Sequence, residues 1–186
     1  MSKISEIKRR KGFSLLELLL VLGIIAALIV AAFIVYPKVR SSQIVDAESK
    51  NIATIRGGLL SLYSATTDIT TVNNTVGINA QIFPDNMLVK SGSSVVDVVN
   101  GFKGKVTLSA TNYASYGKVV FNIGYANVPQ DACVKLVAAV APSMSIINIG
   151  GSIVKSDISN IDWNIANAAT ACNSAGVSST ISFSFY

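Results

Sequence analysis

A chain of 186 residues has room for one domain and an anchor, not for two full domains. Its formal net charge of +5 is concentrated at one end: residues 1–12 hold five cations against Glu6, while the ten downstream cations meet nine anions, so no basic stripe remains for phosphate binding. With no histidine anywhere, the ordinary Ser-His-Asp and Cys-His catalytic arrangements are excluded, and a low-charge body suits a subunit that packs among copies of itself and equally a weakly charged secreted domain.

The first element is a run of four cations, Lys8-Arg9-Arg10-Lys11, followed by Gly12, Phe13 and Ser14-Leu15-Leu16-Glu17. From Leu18 to Tyr36 no side chain is charged. Counted from Phe13 this gives about 36 Å of helix, long enough to span a membrane. The cations predict a cytoplasmic N terminus, with the C-terminal remainder across the membrane. An acid one turn into such a span costs roughly 2.5–3.5 kcal/mol on insertion scales, so Glu17 requires a compensating charge. A plain signal anchor has no use for that acid. A secretory signal peptide fits worse, because its apolar region should be about 7–15 residues long and end at an A-x-A-like site, which this sequence lacks.

At this junction the sequence closely resembles a type IV prepilin: a basic leader ending in Gly12, an aromatic first mature residue, Phe13, and a glutamate at the fifth mature position, Glu17. The resemblance implies that a prepilin peptidase cuts between Gly12 and Phe13 and N-methylates the new amino terminus. Cleavage would supply the charge that Glu17 needs, since the Phe13 amine lies four residues away. Within a filament, the resemblance implies, Glu17 meets the Phe13 terminus of a neighbouring subunit. The span is apolar all round, so it must be buried in lipid or among other helices. Gly23 and the alanines at 26, 27, 31 and 32 offer small contact points. Pro37 predicts a kink or a short unwound segment at Tyr36.

Beyond Pro37, Val45, Ile52, Ile55, Leu59 and Leu62 recur at helical spacing, and predict one apolar stripe on an amphipathic helix over 37–64. Gly57 and Gly58 weaken it by about 1 kcal/mol each relative to alanine and predict fraying before Tyr63. Residues Ser64 to Asn79 read as a surface connection, and the Asn73-Asn74-Thr75 sequon as an accidental match. An apolar stretch follows from Ile82-Phe83-Pro84 to Val89. Lys105–Ala110 and Lys118–Tyr125 read as an antiparallel hairpin with a turn at Ser115-Tyr116-Gly117. Ala132, Cys133, Leu136, Val137 and Val140 form the stripe of a short helix over Pro129–Ala141, laid on the sheet. Ser145 to Ile149 predicts a further strand, Asp162 a cap for a small helix through Ala171, and Ile181, Phe183 and Phe185 a half-buried C-terminal strand.

Cys133 and Cys172 fall on the side predicted to be oxidising, which favours a disulfide worth about 4 kcal/mol in the chain-entropy model over two independent buried thiols. No C-x-x-C supports a redox or metal role. Asp68, Asp85, Asp97, Asp131, Asp157 and Asp162 show no paired spacing for acid–base work; Asp157 and Asp162 could help bind a cation, but two acids alone do not define a metal site. No catalytic residue, cofactor or metal is expected.

The C-terminal half is similar to the type IVb pilins, the group that includes the toxin-coregulated pilin and conjugative thin-pilus pilins. The likeness lies in Leu15-Leu16-Glu17 leading to Val21-Leu22-Gly23-Ile24, the Asn51–Arg56 segment, Asn100-Gly101-Phe102-Lys103-Gly104 before a strand, and Val128-Pro129 leading into the Cys133 helix. The short leader and Phe13 are more usual in type IVa pilins. The resemblance implies an α+β fold: a cleaved leader (1–12), a transmembrane and filament-core helix (13–36), the amphipathic half of the same spine (37–64) and an antiparallel sheet head closed by a disulfide (65–186). It implies polymerisation into an extracellular pilus after a period in the inner membrane, with an assembly ATPase and its membrane platform as partners. A minor pilin, a secretion-system pseudopilin and a non-polymerising, membrane-anchored periplasmic binding domain are the competing readings.

Overall fold

The computed structural model describes residues 14–65, 69, 71–113 and 117–186. The predicted leader, Gly12, Phe13, Asp68 and the Ser115-Tyr116 part of the predicted turn lie outside the described residues. The chain divides into two units, Met1–Arg40 and Ser41–Tyr186. Helix α1 (Leu15–Leu62) passes through the boundary between them.

The backbone of α1 is helical through Pro37, so the unwound segment predicted there does not form. Proline removes a single intrahelical donor, and cooperative helix on both sides absorbs that loss. Nor does the helix fray at Gly57-Gly58; it continues to Leu62. Ile55 and Leu59 are fully buried there, each worth about 1.5–3 kcal/mol, which outweighs the glycine penalty. Gly58 also has a positive use: a Cβ at this position would lie 2.7 Å from Ile82 Cγ2, so glycine lets the 82–83 segment reach the helix. Val45, Ile52, Ile55 and Leu59 are buried as the stripe requires, whereas Leu62, in the last turn, is exposed.

The second unit is built on a five-stranded antiparallel sheet in the order β3-β4-β7-β5-β6. Its strands are β3 (Val106–Tyr113), β4 (Lys118–Pro129), β5 (Ile146–Ile149), β6 (Ser152–Ser156) and β7 (Ser178–Phe185). The hairpin β3–β4 is the one predicted from β-branched content. The C-terminal strand β7 sits in the middle of the sheet, not at an edge, with Phe121↔Phe185 and Ile123↔Phe183 on one side and Ile147↔Phe183 on the other. Alternation sends Ile181, Phe183 and Phe185 to one face with Phe121, Ile123 and Tyr125, and Asn122, Ser182 and Ser184 to the opposite face. The Ser41–Leu62 part of α1 covers the apolar face: the Arg56 guanidinium lies 5.4 Å from the Phe185 ring centroid, and Tyr63, just past the end of the helix, meets Phe121 with tilted rings whose centroids are 5.5 Å apart.

Four elements are missing from the sequence reading. Helix α2 (Asn74–Asn79) lies inside the predicted surface connection, β1 (Leu88–Ser91) and β2 (Ser94–Val98) form a separate two-stranded sheet, and β6 follows the Gly150-Gly151 turn. The sequon asparagines have structural work. Asn73 caps α2 by accepting from Val76 N at 3.0 Å, and the Asn74 carboxamide pairs with the edge of β3, donating to Val106 O and accepting from Leu108 N, both at 2.7 Å. Helix α3 (Gln130–Val140) follows Pro129 directly, and α4 (Ile165–Ser174) is capped by Asn164 rather than Asp162. A cap must immediately precede the first helical residue, and Asn164 Oδ1 accepts from Ala166 N at 2.8 Å.

Candidate functional site

Two features stand apart from ordinary core packing: the apolar run that opens α1, and a buried acid further along the same helix. The run Leu15–Phe33 is long and apolar enough to cross a membrane, and none of it is buried inside the chain. Leu15 is 77% exposed and Phe33 76%, so these nineteen residues of helix lack a partner among the described residues of their own fold. Such a surface has to be covered by lipid or by other chains. Glu17 sits in the first turn, flanked by Leu18, Val21 and Leu22, where Ser14 O accepts the first helical bond from Leu18 N at 3.1 Å. The helix dipole favours an acid at that end. Phe13, the expected partner of Glu17, and Gly12 lie outside the described residues.

Glu48 is the residue that the sequence reading passed over. It occupies the apolar stripe between Val45 and Ile52 and is only 2% exposed. An acid standing among apolar residues at helical spacing was the available signal. Its Oε1 accepts from Gly101 N at 3.0 Å and from Asn51 Nδ2 at 3.0 Å. Its Oε2 and the Tyr125 hydroxyl are both buried and make no hydrogen bond of good geometry among the described residues. Burial pushes the Glu48 carboxyl above the usual carboxylate range, against the opposing pull of Tyr125, Gly101 and Asn51. Burial, and then the Glu48 charge, push the Tyr125 hydroxyl well above its ordinary value.

The turn that meets Glu48 is closed by one side chain. Asn100 Oδ1 accepts from Phe102 N and Gly104 N, both at 2.9 Å, while its Nδ2 donates to Ala126 O at 2.8 Å. Gly101 is required by proximity: a Cβ there would lie 2.8 Å from Ile44 Cγ2 and 3.0 Å from Glu48 Oε1. Glu48 thus joins the Asn51–Arg56 and Asn100–Gly104 segments, taking one hydrogen bond from Asn51 on α1 and one from Gly101 in the turn before β3.

Cys133 and Cys172 form a disulfide between α3 and α4, with Cα atoms 6.0 Å apart and both residues fully buried. Asp131 accepts from Ser41 Oγ at 2.8 Å, which ties the start of α3 to α1. Asp157 lies 3.8 Å from Lys155 Nζ, and that lysine also donates to Ala141 O and Met144 O beyond the end of α3. Asp162, the predicted cap, is not the cap of α4.

Comparison with known proteins now bears on both features. A family model described as PilS N terminal matches residues 42–185. The chain belongs to the PilS family. A second model, the prokaryotic N-terminal methylation motif, matches residues 7–33, the stretch that holds Gly12, Phe13 and Glu17. No curated protein matches the sequence. Among solved structures, this PilS-family chain is similar to a type IV b pilin from Salmonella typhi, at 21% identity and a TM-score of 0.59, over 74% of this chain and 97% of that one. It is similar also to TcpA, a type IV pilin from Vibrio cholerae El Tor biotype, at 12% identity and a TM-score of 0.58, over 77% and 99%. The long N-terminal helix, the antiparallel sheet and the C-terminal disulfide of the PilS-family chain are thus a type IV pilin fold.

Proposed function

We propose that this chain is a type IV pilin, a structural subunit that polymerises into an extracellular filament after removal of its leader. The carrying observation is the Leu15–Phe33 helix, which lies within the stretch matched by a methylation motif and finds no cover among the described residues of its own fold. Covering that surface first with lipid and then with copies of itself gives one segment two successive environments. On this reading the prepilin peptidase cuts after Gly12 and methylates Phe13. The subunit then waits in the inner membrane with its N terminus cytoplasmic, until an assembly ATPase and its platform draw it into the filament. The Phe13 amine and Glu17 are the assembly contact, because each offsets the cost of burying the other; removing one partner of such a pair costs about 3–5 kcal/mol.

The decisive experiment expresses Glu17→Gln beside wild type, follows processing on a gel and by mass spectrometry, and weighs sheared filaments. The expected result is a mature chain beginning at Phe13 in both, with filament yield falling at least about tenfold in the variant, as a loss above about 1.4 kcal/mol requires. Functional protein that keeps residues 1–12, or a normal filament yield from Glu17→Gln, would defeat the reading.

An anchored binding domain is the alternative that one observation favours: a cavity of about 640 Å³ between α1 and the β1–β2 sheet, lined by Thr54, Phe83, Asp85 and Lys90 among others. Filaments that label along their length with antibody against residues 65–186 would decide against it.

A further inference from the structure

The Asn100-Gly101 dipeptide carries chemistry that neither filament assembly nor the fold requires. Asparagine followed by glycine is the peptide sequence most prone to deamidate, because glycine offers no side chain to hinder attack of its own nitrogen on the preceding carboxamide. It is the one Asn-Gly pair in the chain. Both residues are fixed here for other reasons: the glycine because α1 passes too close for a Cβ, the asparagine because its carboxamide closes the turn with three hydrogen bonds. The fold has therefore buried the carboxamide of its most labile dipeptide, with Asn100 2% exposed, while Gly101 lies at the surface and turns its N–H inward to Glu48.

We propose that Asn100-Gly101 is a latent deamidation site that the Glu48 carboxylate holds unreactive, and that the chemistry starts only when the Ser41–Leu62 part of α1 leaves this turn. In the reaction the Gly101 nitrogen loses its proton and attacks Asn100 Cγ; the N–Cγ bond forms, the Cγ–Nδ2 bond breaks, and Nδ2 departs as ammonia. Water then opens the succinimide to aspartate or isoaspartate, so that one water is consumed and one ammonia released. Each early step is blocked in the closed head. The Gly101 N–H is directed at Glu48 Oε1, 3.0 Å away. A carboxylate is far too weak a base to take an amide proton, so the bond keeps the proton on nitrogen instead of removing it. The Asn100 carboxamide is held at both ends, its oxygen by two backbone donors and its nitrogen by Ala126 O, which prevents the rotation that attack needs.

The product could not re-enter the same turn. A carboxylate at 100 would face Ala126 O with no proton to donate, beside the buried Glu48, and isoaspartate would add a backbone carbon inside the Asn100–Gly104 loop. A head that has opened is thereby marked permanently.

The test incubates the full-length protein in detergent at neutral pH and maps Asn100 by peptide mass, where conversion adds one dalton. Wild type should deamidate there at least about a hundredfold more slowly than the same chain in denaturant, as expected when opening limits the reaction. Glu48→Gln keeps an acceptor oxygen for Gly101 N and should stay protected, while folded Glu48→Ala should deamidate at least about tenfold faster than wild type. If Glu48→Ala does not fold, hydrogen exchange at the Gly101 amide of wild type takes its place: across sub-denaturing urea, exchange and deamidation should accelerate together. Overturning results are a native rate within about threefold of the denatured one, a folded Glu48→Ala as inert as wild type, or deamidation that does not follow Gly101 exchange.

Discussion

At the scale of single residues, Glu48 shows how a fold can keep an ionisable group whose charged form it disfavours. Two hydrogen bonds reach Oε1 and none of good geometry reaches Oε2, so desolvation wins and the carboxyl is pushed above its ordinary value of about 4.5. The sign for stability follows directly. The folded state holds this proton more tightly than the unfolded one, so the contribution of Glu48 is fully present below the ordinary value and is lost as pH rises through the folded one. Tyr125, pushed up beside it, keeps its own proton over that window and adds no slope until strongly alkaline pH. Glu48→Gln, neutral at every pH, should therefore lose that part of the decline and melt a few degrees above wild type at pH 7, with the gap closing toward pH 4. Calorimetry of the two proteins across that range reads the gap. A Gln variant less stable than wild type at pH 7 would mean that the hydrogen bonds to a charged carboxylate outweigh desolvation.

At the scale of elements, what could be read from sequence was whatever a regular period announced. The Val45–Leu59 stripe, the Ala132–Val140 stripe and the Ile181–Phe185 alternation each bury the predicted residues, because period 3.6 or 2 leaves one face to pack. Among the elements of four to six residues, only β5 gave a signal, through its run of isoleucines ahead of Gly150-Gly151. Helix α2 is too short to show a period, and β1, β2 and β6 carry exposed Val89, Val96 and Ile153 that break alternation. Glu17 stood out in the sequence because an acid in an apolar span is conspicuous, whereas Glu48 lay in a stretch already rich in polar residues. The cysteines were legible as a pair through their compartment, and the structure adds what they join: α3 and α4, packed beside the sheet. Replacing both with alanine should cost about 2–5 kcal/mol, measured by urea unfolding, and should spare the β3–β4 hairpin, whose strands lie outside the loop from Cys133 to Cys172. A loss near zero would show that packing of α3 and α4 suffices without the link.

At the scale of the whole molecule, the two units differ in what completes them. Ser41–Tyr186 buries its own core, from the α1 stripe through Phe183 and Phe185, and its residues supply every long-range polar tie described above. Leu15–Phe33 buries nothing against the described residues. If that run is the assembly surface, the chain from Ser41 onward should fold alone as a soluble monomer, with its disulfide formed and no filaments at any concentration, since the apolar surface that needs covering is gone. The first turn of the shortened helix should fray, because it loses the preceding donors and acceptors, but Val45 and Ile52 still anchor the stripe. Light scattering with size exclusion reports the mass, circular dichroism the fold, and electron microscopy the filaments. Ordered polymers from residues 41–186 would place the main subunit contacts in the head and strip the N-terminal helix of its proposed role.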